Sequence, residues 1–253
     1  MSILCYHSVD PAWRSPLAVT PAEFARQCEW LARRRRVVDL EAAVTMLNGR
    51  FTLPSGTTAI TFDDGFAGLM SHAAPVLARH RLPATVFIVA ATLEGGRAPV
   101  DWVIGEQPPH PQTLTLAQVL EMQEAGIAFG SHSSNHRDLT KLSEAECESE
   151  LRSSKQALTD LLGRPCRFLA YPSGFHDERV RRIAERVGYE AAFTLPERRE
   201  ATGRFAIPRV GVYPGNGPMT MRVKDTRWYL NARTSRLYPL LRPGSRLVSR
   251  PAG

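Results

Sequence analysis

Two short stretches of this sequence hold residue types that can hydrolyse a bond. In Ile60-Thr61-Phe62-Asp63-Asp64-Gly65 an apolar, β-branched run stops at two adjacent carboxylates and a glycine, the pattern of a buried strand delivering acids to its C-terminal rim. Carboxylates this close cannot both be buried and ionised without a compensating cation, because each raises the other's pKa. In Gly130-Ser131-His132-Ser133-Ser134-Asn135-His136 a second strand-like run, Ile127 to Gly130, feeds two histidines four residues apart. That spacing predicts a helical turn with both imidazoles on one face. Two imidazoles and one carboxylate make an open metal site. Taken singly, Asp-Asp-Gly is also an ordinary turn and a pair of histidines four apart an ordinary surface feature. Their joint occurrence, each behind an apolar strand, is what points to a site.

The elements that must position these residues follow from the same patterning. Ile3 to Tyr6 reads as a short buried strand ending at His7, which places that histidine at a strand rim too. A helix opens at Thr20-Pro21 and runs to about Ala32. Arg33 to Arg36 behind it read as cations opposing the helix dipole rather than as a binding patch. Val37-Val38 predicts a strand, Leu40 to Leu47 a helix, Phe66 to Arg79 a helix despite Pro75, and Ala84 to Ala90 a strand. The segment from Thr92 to Leu114, rich in glycine and proline and containing Asp101-Trp102, is too long and irregular for a simple connector and reads as a lid over the site. Leu116 to Glu124 predicts a helix, and Ser143 to Leu162 a long amphipathic one opened by a Ser-x-x-Glu capping box. Arg167 to Tyr171 is a strand, His176 to Val187 a helix stopped by Gly188, and Glu190 to Thr194 and Phe205 to Val210 are the last strands. Strands alternating with helices imply mostly parallel strands covered by helices, in a barrel or a doubly wound sheet. Spacing does not choose between the two.

With 253 residues, 43% of them hydrophobic, the chain can bury one full core. The expected organisation is a catalytic domain over 1–213 and a tail over 214–253. No apolar run reaches the roughly 18 to 20 residues that span a bilayer, and Met1-Ser2-Ile3-Leu4 enters a strand without a basic leader. The expectation is a cytoplasmic protein with neither signal peptide nor transmembrane segment. Cys5, Cys28, Cys147 and Cys166 are scattered, with no Cys-x-x-Cys pair, and read as reduced core thiols. The net charge of +7 lies in the tail: from Thr220 onward there are eight of the 32 Lys/Arg and one of the 25 Asp/Glu. A balanced domain with a basic tail and no recognisable motif argues against a nucleic-acid partner. Between Val223 and Leu241 the basic residues alternate with Trp228, Tyr229, Leu230, Leu237, Tyr238 and Leu240, the composition of an interfacial helix that would touch an anionic membrane. The alternative is that these side chains pack back onto the domain.

Thr61-Phe62-Asp63-Asp64-Gly65 followed by His132-Ser133-Ser134-Asn135-His136 resembles the polysaccharide deacetylase family, the NodB-like domains of carbohydrate esterase family 4. A third stretch, Phe168-Leu169-Ala170-Tyr171-Pro172-Ser173-Gly174, is similar to the family's strand ending in proline and glycine beside the metal. The resemblance covers roughly residues 2 to 213. It implies a distorted, incomplete (β/α) barrel with its site at the C-terminal strand ends. It implies Asp64, His132 and His136 as metal ligands, Asp63 as general base, and a backbone N–H near Ser173 for the oxyanion. A substrate pocket would be lined by Tyr171, Pro172, Ser173, Gly174 and Trp102, the last with a loop-anchoring role as its alternative. His7 would be the acid that protonates the leaving amine, with the acid-histidine motif permuted to the N-terminus; a structural histidine is the alternative. Most members carry an arginine four residues before the glycine of the third stretch, to hold the base aspartate, and here that position is Ala170. Arg209, at the end of another predicted strand, is the candidate replacement. The implied reaction is hydrolysis of an N-acetyl group from an N-acetylated sugar in a glycan or glycolipid precursor. Zinc is the expected ion, and cobalt, nickel, iron or manganese suit the same N and O donors. The alternatives are a metal- or glycan-binding pseudoenzyme, or hydrolysis of a formyl group or a small amide.

Overall fold

A computed structural model of the chain describes residues 2–47, 53–94, 100, 102–103, 111–196 and 202–233. The apolar runs form strands β1 (Ile3–Tyr6), β2 (Ser8–Val9), β3 (Ala18–Val19), β4 (Arg36–Val37), β5 (Thr57–Phe62), β6 (Thr85–Ile88), β7 (Ala128–Ser131), β8 (Phe168–Ala170), β9 (Ala191–Thr194) and β10 (Ile207–Gly211). Because β1 pairs with both β10 and β5, seven parallel strands close into a ring in the order β1-β10-β9-β8-β7-β6-β5. This is a (β/α) barrel one strand short of the regular eight. It is distorted where β7 meets β8, which are joined at the single register pair Ser131↔Leu169. β4 extends only the first two residues of β5. β2 and β3 form a separate pair that sequence patterning does not reveal, since two residues carry no periodicity.

The helices are α1 (Pro21–Arg34), α2 (Leu40–Leu47), α3 (Ala74–His80), α4 (Ala91–Glu94), α5 (Leu116–Glu124), α6 (Glu144–Leu162), α7 (Glu178–Val187), α8 (Pro218–Lys224) and α9 (Arg227–Arg233). Reciprocal capping boxes open α1, α5 and α6, at Thr20/Glu23, Thr115/Gln118 and Ser143/Glu146. The helix expected from Phe66 is regular only from Ala74. Leu69–Ala73 forms a wider π turn just ahead of Pro75, which has no N–H to donate.

The two faces of each strand do different work. Ile3, Ala59, Phe87, Phe168 and Phe193 point inward and fill the barrel, where Leu40, Ala43 and Leu47 of α2 join them. Leu4, Ile60, Phe62, Val86 and Leu169, the neighbours out of phase with these, lie under the helices. Gly130, on the inward face of β7, leaves room for Phe87: a Cβ there would lie 2.7 Å from its ring.

Beyond β10 the chain runs back along the barrel. Lys224 donates to the carbonyl of Gly211 at 2.7 Å, while Asp225 accepts from the backbone and hydroxyl of Ser2 at 3.1 and 2.9 Å and pairs with Arg35. Met221 and Leu230 are buried, whereas Trp228 is 71% exposed. The remainder of the expected interfacial segment, including Arg236, Leu237, Tyr238 and Leu240, lies outside the described residues. Among the described residues no helix is long and apolar enough to cross a membrane.

Candidate metal and catalytic site

β5 carries its inward face past Phe62 to Asp63. Strict alternation would send Asp64 outward, but Asp64 and Gly65 both adopt left-handed backbone, φ 68° and 65°, and the Gly65 N–H closes onto the Asp63 carbonyl at 2.9 Å. The chain thereby turns both carboxylates into the barrel mouth, where each is 3% exposed. For Asp64 this backbone costs about 1–2 kcal/mol.

β7 supplies the histidines, and here the structure corrects the sequence reading. His132 to His136 is a loop, not a helical turn, with left-handed backbone at Ser133 (φ 66°) and His136 (φ 54°). The loop is tied at several points: Ser133 Oγ accepts the His136 N–H at 3.0 Å, and Glu150 of α6 accepts the backbone and amide N–H groups of Asn135 at 2.6 and 3.0 Å. The His132 ring is turned by a 2.8 Å contact between its Nδ1 and the carbonyl of Ala170, which leaves Nε2 for the mouth.

His132 Nε2 lies 3.7 Å and His136 Nε2 3.3 Å from the same oxygen, Asp64 Oδ1. Two donors each about 2.1 Å from a tetrahedral metal stand about 3.4 Å apart, and with all three ligand atoms within 4.8 Å of one another the three residues could hold a divalent ion. Burial and the charge of Asp63 push the Asp64 carboxyl up to about 8, against an opposing hydrogen bond from Trp102. Burial lowers both histidines, and His132 lowers His136 further. Both rings are therefore neutral near pH 7, the form that ligates metal.

Asp63 behaves oppositely to its neighbour. Burial alone would raise it, yet the guanidinium of Arg209 holds its carboxyl well below the usual range. Arg209, on β10 and fully buried, donates from Nη1 to Oδ1 and from Nη2 to Oδ2, each at 2.6 Å. Ala170, where most of the family carries an arginine, sits on β8 two strands away in the ring. The guanidinium thus enters from a different strand to reach the same carboxylate.

The other expected site residues are distributed unevenly. His7 follows β1 at the mouth, half-buried, with its Nδ1 buried and lacking a hydrogen-bond partner. Burial pushes it down to about 4, although Asp63 pulls the other way. Trp102 donates its indole N–H to Asp64 Oδ1 at 3.0 Å and stacks on His136 at 5.0 Å; its neighbour Asp101 and most of the expected lid lie outside the described residues. Pro172–Gly174 forms a tight turn with Ser173 exposed and its backbone left-handed, φ 53°. Tyr171 departs from expectation: it is out of phase with the inward Ala170, its ring is fully buried in the outer core, and its hydroxyl donates to the Phe205 carbonyl at 2.9 Å. Its side chain does not line the mouth. His176 stacks on Tyr171 at 5.2 Å.

Sequence reasoning also passed over Cys5, whose thiol lies 3.3 Å from Asp63 Oδ2, and Glu150. The latter was readable as a carboxylate on the buried stripe of α6, beside Cys147, Leu151 and Ser154.

The family model described as polysaccharide deacetylase matches residues 52–192, more than half the chain. This chain belongs to the polysaccharide deacetylase family. The match includes Asp63, Asp64, His132, His136 and the turn after β8, while His7 and Arg209 fall outside it. Among similar proteins, the putative polysaccharide deacetylase YxkH of Bacillus subtilis is 28% identical over 218 residues, covering 85% of this chain and 72% of that one. A poly-beta-1,6-N-acetyl-D-glucosamine N-deacetylase of Staphylococcus aureus is 25% identical over 207 residues, 76% and 67% of the two chains. Two solved structures superpose over nearly their full length: the Streptococcus pyogenes deacetylase PplD in complex with acetate (TM-score 0.77, 25% identity, 89% of this chain and 98% of that) and IcaB from Ammonifex degensii (0.71, 27%, 89% and 97%).

Proposed function

We propose that this polysaccharide deacetylase is a metal-dependent N-deacetylase, hydrolysing the acetamide of an N-acetylated amino sugar within a glycan or glycolipid precursor. The observation that carries the reading is the division of labour between adjacent acids. Asp64 shares one oxygen with two neutral imidazoles, while Asp63 is held ionised by Arg209. A pseudoenzyme would have no use for the second half of that arrangement. The names of the S. aureus and A. degensii relatives support the substrate class.

In this reading Asp64, His132 and His136 hold the ion, zinc by preference, which when bound polarises the acetamide carbonyl and lowers the pKa of water. Asp63 takes the proton of the attacking water. Its depressed pKa makes it a poor final resting place, so the proton passes on. His7, neutral in the resting site, receives it and protonates the departing amine nitrogen. A backbone N–H near Ser173 would hold the developing oxyanion. Water supplies the oxygen of the released acetate, and its two protons end on the acetate and amine sides.

The test is release of acetate from N-acetylglucosamine oligomers by zinc-loaded protein. Asp63→Asn should keep the ion and lose roughly 10²- to 10⁴-fold in turnover. Asp64→Ala, His132→Ala and His136→Ala should each lose the ion itself. Full metal occupancy in those three variants would overturn the ligand assignment, and hydrolysis of N-formyl but not N-acetyl substrates would move the acyl specificity.

A further inference from the structure

Cys5, His7 and Asp63 offer thiol, imidazole and carboxylate atoms within 4.8 Å of one another, which at first sight is a second metal group. Arg209 excludes that reading. Its guanidinium stands 2.6 Å from both oxygens of Asp63, so a fixed positive charge already fills the place where a second cation would be compensated. The thiol must do something else there.

Cys5 lies on the inward face of β1, fully buried, between β5 and β10: its register partners are Thr61 and Gly211. Its Sγ is 3.3 Å from Asp63 Oδ2 and 3.7 Å from its other acceptor, the Tyr6 carbonyl. Burial and the charge of Asp63 keep it a thiol, hence a donor. A carboxylate oxygen has about two acceptor positions. On Oδ2 they are taken by Arg209 Nη2 and Cys5, whereas on Oδ1, among the described residues, Arg209 Nη1 alone is bound. The two oxygens of the base are therefore not equivalent.

We propose that Cys5 is a positioning residue for Asp63: its thiol saturates Oδ2 and leaves Oδ1 as the oxygen that takes the proton from the attacking water. The inference rests on Asp63 being the base, and the bland rival is a cysteine that merely fills space. The experiment compares Cys5→Ala and Cys5→Ser in the parent and in Asp63→Asn, each zinc-loaded, with acetate release read as kcat and KM. Cys5→Ala should lower kcat about tenfold, the effect of about 1.4 kcal/mol in the barrier, with KM within twofold. Cys5→Ser, which keeps a donor, should recover most of the loss. In the Asp63→Asn background Cys5→Ala should cost nothing further, because the group it acts through is gone. An equal loss in both backgrounds, or serine no better than alanine, would return Cys5 to space-filling. Binding of a second ion per chain, lost in Cys5→Ala, would overturn the argument against a metal. A readout independent of turnover keeps the contact separate from the functional reading. The S–H stretching band of Cys5, assigned by difference against Cys5→Ser, should lie below those of the other three buried thiols and rise in Asp63→Asn. A band that does not move sinks the contact, even if the parent is an active deacetylase. A band that moves in a protein releasing no acetate would confirm the contact and overturn the role in deacetylation.

Discussion

Arg209 makes Asp63 usable and also makes it vulnerable. Arg209→Ala leaves a buried carboxylate facing no cation, a change that costs about 3–5 kcal/mol where one partner of a buried pair is removed. Urea unfolding should show that loss, and acetate release should fall with it. Arg209→Lys keeps the charge without the two-pronged geometry and should recover stability more than turnover. Retention of parental stability in Arg209→Ala would show that the pair does not hold Asp63 ionised. The titrating groups give a second prediction, for the chelator-treated chain. His7, pushed down to about 4, and His132 and His136, also lowered from 6.5, bind protons less readily folded than unfolded. The unfolded chain therefore holds more protons below about pH 6.5, and stability rises with pH up to there. Asp64, raised from 3.8 to about 8, works the other way, since folding keeps its proton on through that range. Three histidines outweigh it below about 6.5, and above that it acts alone. Asp63, held low, loses its contribution only in strong acid, outside this window. Tm should thus peak near pH 6.5 and fall toward pH 8, and Asp64→Asn should abolish the fall. A steady rise to pH 8 in the parent would contradict the assignment.

The elements fix the histidine side of the site through one missing side chain. Gly130→Ala would set a Cβ 2.7 Å from the Phe87 ring and 3.0 Å from the Phe168 carbonyl. Overpacking of this kind costs about 1–3 kcal/mol, and because His132 follows directly on the end of this strand, zinc affinity should weaken too. Phe87→Leu in the Gly130→Ala background should restore part of both, and a calorimetric zinc titration would show whether it does. What the sequence could reveal divides along similar lines. Helices with apolar spacing and chemical end signals were legible to the residue, as in Leu40–Leu47 and Leu116–Glu124, and so was the capping box at Ser143. The alternation of strands and helices revealed layers, but closure of the ring depends on β1 meeting β5 and β10, contacts that leave no local mark. The histidine pair was found and its backbone misread, because a spacing of four describes a helical turn and a left-handed loop equally well. Tyr171 was placed at the mouth by motif, while strand parity, readable from Ala170, would have placed it outside. That Arg209 grips Asp63 was suggested by an absence at Ala170, whereas the thiol of Cys5 looked like any other core cysteine.

At the scale of the whole molecule, Asp225 fastens the described C-terminal helices to Ser2, just ahead of β1 and at the end of the barrel opposite the mouth. Trp228, three residues further on and exposed, therefore starts from the side away from the metal-ligand cluster. The same fastening bears on how the ring is made. β1 pairs Ile3 with Arg209 of β10, and pairings this remote in sequence form slowly. Closure of the ring is therefore expected to come late in folding, and the placing of His7 beside Asp63 with it. Cutting behind the exposed Arg14 and rejoining residues 1–14 after Arg233 through a short glycine-rich linker would make that pairing local but would carry the pairing of β1 with β5 to opposite ends of the sequence. A closed ring keeps one remote pairing wherever it is opened, so stopped-flow refolding should run at about the parent's rate, with the zinc content unchanged. Markedly faster refolding would mean that the meeting of β1 with β10 in particular, and not closure as such, sets the pace at which the mouth is completed.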